Sequence, residues 1–191
     1  MDATSEVKFN EWIAAGFEVF RANLGTLILA TLVVVVLSGV TVSILSGPLF
    51  AGLVLMVLAL VDKKEPKPGV GDVFQGLQLF LPAFLFAPVT MLVLGIVGGI
   101  LLRIPLLGRL LALAWHFGMG TLLMFTLFLI ADRKMDFWAA VKESTNRVKT
   151  NFWPFLGLFV VAGVLGSLGG LLLVVGVVVT LPLGASILAV A

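Results

Sequence analysis

The chain has 191 residues, of which 61% are hydrophobic and 12% charged; its mean hydropathy is +1.22, and soluble domains carry about 25% charged residues. That balance excludes an ordinary soluble domain and indicates an integral membrane protein. The net charge of +2 comes mostly from short loops and gives no reason to expect a nucleic-acid partner. With no cysteine and one histidine, disulfides, iron–sulfur clusters and metal sites are not expected, and neither is any cofactor.

In residues 1–22, Asp2, Glu6, Glu11 and Glu18 mix with Lys8 and Arg21, without a cationic start or a compact apolar stretch, so no cleaved signal peptide is expected. Phe9, Ile13, Phe17 and Phe20 recur at near-helical spacing opposite Asn10, Glu11, Glu18 and Arg21. This pattern predicts an amphipathic helix lying in the membrane interface, anchored by Trp12.

Residues 24–61 form an uncharged run long enough for two crossings at about twenty residues each. We read it as a first hairpin, with spans at 24–45 and 48–61 and the turn at Ser46-Gly47-Pro48. Gly47 suits a turn and Pro48 the first turn of a helix, where its missing N–H loses nothing. Gly39, Ser43 and Gly47 put a small side chain at every fourth position, a seam for close helix packing.

Residues 62–79 read as a water-exposed loop with Lys63, Lys64 and Lys67, then a short amphipathic segment carrying Val70, Val73, Phe74 and Leu77. A second hairpin follows over 80–131. Its first span holds Pro88, which would kink the helix or free carbonyls, and the pair Gly95 and Gly99 as a packing seam. Two arginines, Arg103 and Arg109, mark its turn. Its second span carries His116, the one histidine, at mid-depth. An ionisable group there is a functional candidate by default, the plainer alternative being a neutral imidazole bonded across helices.

Residues 132–150 are the most polar segment and read as a second interfacial helix, with Phe137, Val141, Thr145 and Val148 on one stripe and Trp138 as anchor. Asp136, Lys142 and Glu143 belong to its solvated face; nothing in the sequence makes them converge as an acid–base pair. The third hairpin, 151–191, begins at the anchor Trp153, turns near residues 167–170, and carries a small-residue seam at Ala162, Gly166 and Gly170. Pro182 lies inside its second arm and predicts a kink or a half-helix.

The expected fold is therefore all-α: one polytopic transmembrane helical bundle over 1–191, with six spans arranged as three hairpins and short interfacial helices. Six spans put both termini, the 62–72 loop and the 132–150 segment on one side, with ten of the twelve lysines and arginines; only Arg103 and Arg109 lie opposite. The positive-inside rule makes the first side cytoplasmic and the membrane a cell (inner) membrane. A loose repeat recurs three times, marked by Pro48-Leu49, Pro105-Leu106 and Pro182-Leu183, and such repeats are frequent in transporters.

The leader ending at Asn23, the Gly47-Pro48-Leu49-Phe50-Ala51-Gly52 stretch, the Asp132 exit, the Ser144 to Trp153 approach and the late Pro182 together resemble a group of bacterial and archaeal six-span proteins. This is the YciC-like type, related to the membrane domain attached to some glycerophosphodiester phosphodiesterases. The resemblance implies a polytopic inner-membrane protein without an assigned reaction, and no catalytic residue carries over.

On function, the sequence points first to a non-enzymatic membrane scaffold or accessory component acting through contacts with the lipid bilayer, a membrane protein partner or a second copy of itself. The alternative is a small transporter or channel for neutral or lipidic cargo, with His116 lining a midspan site. An intramembrane enzyme ranks third, because one histidine brings no carboxylate or metal-ligand set with it.

Overall fold

A computed structural model describes the backbone at residues 9–171 and 173–190 and the side chains at 10–164 and 176–190. The described chain is helical throughout: α1 (Phe9–Ala22), α2 (Leu24–Val40), α3 (Ser46–Val61), a 3-10 helix η1 (Val70–Leu79), α4 (Phe80–Leu101), α5 (Gly108–Leu123), α6 (Thr126–Arg133), α7 (Phe137–Thr150), α8 (Phe152–Leu171) and α9 (Leu173–Val190).

The centre of the bundle is α3, which touches α2, η1, α4, α6 and α9. Leu49, Leu53, Met56 and Val57 are fully enclosed. Between helices in lipid the hydrophobic effect drives little, so close backbone approach must supply the cohesion. Glycines permit it here. A Cβ added at Gly52 would overlap the Val73 carbonyl, one at Gly76 the Pro48 carbonyl, and one at Gly47 the Ala83 carbonyl. Rising numbers in η1 and α4 thus meet falling numbers in α3, an antiparallel register set by backbone contact.

The first turn lies elsewhere than the Gly-Pro signal suggests. α2 stops at Val40 and α3 already begins at Ser46, so the chain reverses over Thr41–Leu45, with φ of 50° at Val42 and 65° at Ser43. No described glycine has positive φ. Gly47 is instead held inside the helix by the Ala83 contact, while Pro48 sits in the first turn as expected.

α1 meets α2 at 87°. Asn23 makes the corner: its Nδ2 donates to the Val19 carbonyl at 2.9 Å, and its own carbonyl accepts from Leu27. α1 then lies along α9, close enough that a Cβ at Gly16 would strike the Ile187 backbone. α7 likewise forms where expected. Asp136 caps it by accepting from the Ala139 N–H at 3.1 Å, and Phe137, Ala140, Ser144 and Val148 are its buried residues.

The expectation of six spans meets a shorter count. Among the described residues two helical runs are long and apolar enough to cross a membrane, Val70–Leu101 with 32 residues and Gly108–Arg133 with 26. α2 and α3 have only 17 and 16 residues, below the roughly twenty that a crossing takes. The 26-residue run is itself interrupted at Met124 and Phe125, between α5 and α6. The protein is all-helical with membrane-type apolar helices; the number of crossings read from composition exceeds what helix length supports.

Candidate functional site

His116 sits on α5, where Nδ1 lies 3.0 Å from the carbonyl of Ala112 one turn earlier. A carbonyl only accepts, so Nδ1 carries the hydrogen. The bond stays within its own helix and does not reach across to another. On α4 the ring faces Gly98, where an added Cβ would fall 2.8 Å from Cε1. Gly98 is therefore the glycine that α5 uses, whereas Gly95 and Gly99 are exposed with no neighbour within 4 Å of a built Cβ. Gly39 is equally open, and Ser43 belongs to the turn and not to a helical stripe. Ala162 is partly buried on α8; the surroundings of Gly166 and Gly170 lie outside the described residues.

The two prolines differ. Pro182 is buried within α9, which runs through it to Val190, and Ser186 Oγ donates to its carbonyl at 2.8 Å. Pro88 is exposed on α4, which also continues through it, and it borders a groove of about 680 Å³ between α4 and the α2–α3 turn. Phe50, Phe84, Phe86 and Leu127 line that groove together with Val42, Ile44 and Met91, which are exposed, so it is open at the surface. Ser43 and Ser46 supply its only hydroxyls, and Ser46 Oγ is already spent on the Ser43 carbonyl at 2.7 Å. Such a lining has no group for general acid–base chemistry and suits hydrocarbon. His116 does not line it.

A second, smaller cavity of about 240 Å³ lies where the charged segments gather. Phe125, Phe128, Phe155 and Leu188 form its apolar part, and Asp132, Arg133 and Arg147 its polar part. Arg147 Nε is held by Glu143 at 2.9 Å. Next to this cavity Trp12 stacks on Phe155 with centroids 5.9 Å apart, tying α1 to α8. Trp138 and Trp153 are 68% and 77% exposed, free to lie among headgroups.

Asp136 and Glu143 are thus used as a helix cap and an ion-pair partner, and no three of the described His, Asp or Glu side chains gather as a metal set. One contact has no sequence signal beyond a serine on an amphipathic helix. Ser144 is fully buried, and its Oγ donates at 2.7 Å to the carbonyl of Leu122, at the break between α5 and α6.

Comparison with protein-family models, curated proteins and solved structures finds no match to this chain. The likeness to the YciC-like group accordingly rests on its short motifs alone.

Proposed function

We propose that the protein is a non-enzymatic membrane scaffold or accessory component of the cytoplasmic membrane that works through lipid contacts at the α4 groove. On this reading the side that carries most of the lysines and arginines faces the cytoplasm. The observation that carries this reading is the groove itself: about 680 Å³, walled by phenylalanine, valine, isoleucine, leucine and methionine side chains, with a proline exposed at its edge. Recognition there would be by shape and hydrocarbon contact, and it needs no cofactor. The alternative, a transporter for neutral or lipidic cargo with His116 at a midspan site, is less favoured because His116 does not line the groove and its Nδ1 is bonded to its own helix.

The test is photo-crosslinking in nanodiscs with a phosphatidylglycerol carrying a diazirine on one acyl chain. Label is expected to concentrate on the segments around Phe50 and Phe84–Met91, and to fall several-fold in Ala87→Trp, which fills the groove. His116→Ala should leave it unchanged. Label spread evenly over α4, α5 and α8 and indifferent to Ala87→Trp would sink the reading.

A further inference from the structure

At 1.5 Å per residue, the 17 and 16 residues of α2 and α3 reach about 25 Å. The α5–α6 run of 26 residues reaches about 39 Å by the same rule. Both start from one end of the bundle: Leu58, near the close of α3, shares a cavity with Asp132 and Arg133, at the close of α6. The α2–α3 turn therefore stops about 14 Å short of the Arg103–Arg109 turn. A second measure agrees. Met91 borders the same groove as Val42 and Ser43, and α4 runs on about ten residues past Met91, to Leu101, which is about 15 Å. Counted from the charged end, a hydrocarbon layer of about 30 Å reaches about 5 Å past the first turn and stops about 9 Å short of the second.

The turn is built for that depth. Backbone without water must find its partners internally, and every N–H from Thr41 to Ser46 does. Thr41 donates to Leu37, Val42 to Gly39, Ser43 to Ser38 at 2.7 Å, Ile44 to Thr41 and Ser46 to Ser43. Leu45 N–H takes the Thr41 hydroxyl at 3.4 Å, and that hydroxyl itself donates to the Leu37 carbonyl at 2.7 Å. The apex is apolar: Val42 is 84% exposed. The tip of the α4–α5 hairpin, in contrast, carries Arg103 and Arg109.

We propose that α2 and α3 form a re-entrant hairpin, which enters and leaves the membrane on the same face with its turn inside the hydrocarbon layer. The groove beside that turn then receives acyl-chain carbons of the leaflet opposite the charged face and no headgroup. The occupant rests on the lipid-contact reading above; the topology does not. A re-entrant hairpin and a double crossing return the chain to the same side, so the charge asymmetry is preserved either way.

The chain has no cysteine, so single thiols report cleanly. Lys64→Cys should react with a membrane-impermeant maleimide from one face and Leu106→Cys, at a fully exposed tip residue, from the other. Val42→Cys and, as a second variant, Ile44→Cys should resist it from both faces, at least tenfold more slowly than position 106. A diazirine on the acyl chain should label residues 41–46 several-fold more than one carried on the headgroup. Labelling of positions 42 and 44 at the rate of 106 would overturn the hairpin, and labelling by the headgroup probe would overturn the depth. If both thiols are protected but neither photolipid marks the turn, the hairpin stands and the lipid occupant fails.

Discussion

Gly52 and Gly76 bring α3 and η1 to backbone contact, whereas Gly95 and Gly99, which look more like a packing motif, face open space. The difference predicts opposite mutational behaviour. Gly52→Ala or Gly76→Ala must push backbone away from backbone, with no flexible side chain to yield, and should destabilise by about 3 kcal/mol. Gly95→Ala and Gly99→Ala meet nothing and should be neutral or stabilising by up to about 1 kcal/mol, from helix propensity. Unfolding in mixed micelles reads both. Equal losses at all four positions would mean that the seam is covered by a second copy. The glycine periodicity was visible in the sequence, but the face it marks was not. Gly98, lying between the two, is the residue that meets His116, and nothing in a uniformly apolar segment indicates which helical face has a neighbour.

At the scale of elements, the α5–α6 break is the feature that composition hid. Neither glycine nor proline stands at Met124 or Phe125, and the carbonyl of Leu122 takes its hydrogen bond from another element, from buried Ser144 on α7. Ser144→Ala should therefore leave a buried acceptor unsatisfied and lower stability by about 1–3 kcal/mol. Thr126, at the same break, has a buried hydroxyl without a partner, so Thr126→Val should hold stability or raise it. The pair is measured by the same unfolding titration; a loss in Thr126→Val equal to that in Ser144→Ala would contradict the bonding assigned here. α1 and α7 were legible because their polar residues mark a face, although α7 buries Phe137, Ala140, Ser144 and Val148, so of the expected stripe only Phe137 and Val148 are buried while Val141 and Thr145 are partly exposed. The first hairpin was legible as apolar, but its turn was placed a few residues late. Gly47 and Pro48 look like a turn to a reader of sequence and serve as a contact and a first helical turn in the fold, while the reversal is made by hydroxyls and by residues held at positive φ.

The whole molecule combines an enclosed hub, α3, with an α4–α5 hairpin whose outer residues, among them Met91, Ile96, Ile100 and Leu110, are exposed. In water so large an apolar surface would aggregate; in lipid it is ordinary. Lysines and arginines lie mostly at the opposite end, from the 62–69 loop to α7, so the molecule has one charged face, one apolar waist and a small second pole at Arg103 and Arg109. Composition showed this polarity, but it carried no depth, because a run that is apolar on every side records residence in the membrane and not how far each helix reaches. Amide exchange restores the depth. Turns normally exchange early, since their N–H groups meet water. In nanodiscs, segments 62–69 and 102–107 should exchange first. Residues 41–46 should be protected as strongly as α3, because each N–H there is bonded and the surrounding medium is hydrocarbon. Solubilising the protein in short-chain detergent should remove the hydrocarbon part of that protection and leave the hydrogen-bonded part, so exchange at 41–46 should accelerate while α3, most of whose residues from Gly47 to Val57 are buried by protein, stays slow. Exchange at 41–46 as fast as at 102–107 in the nanodisc would place the turn in water and make the first hairpin a full crossing.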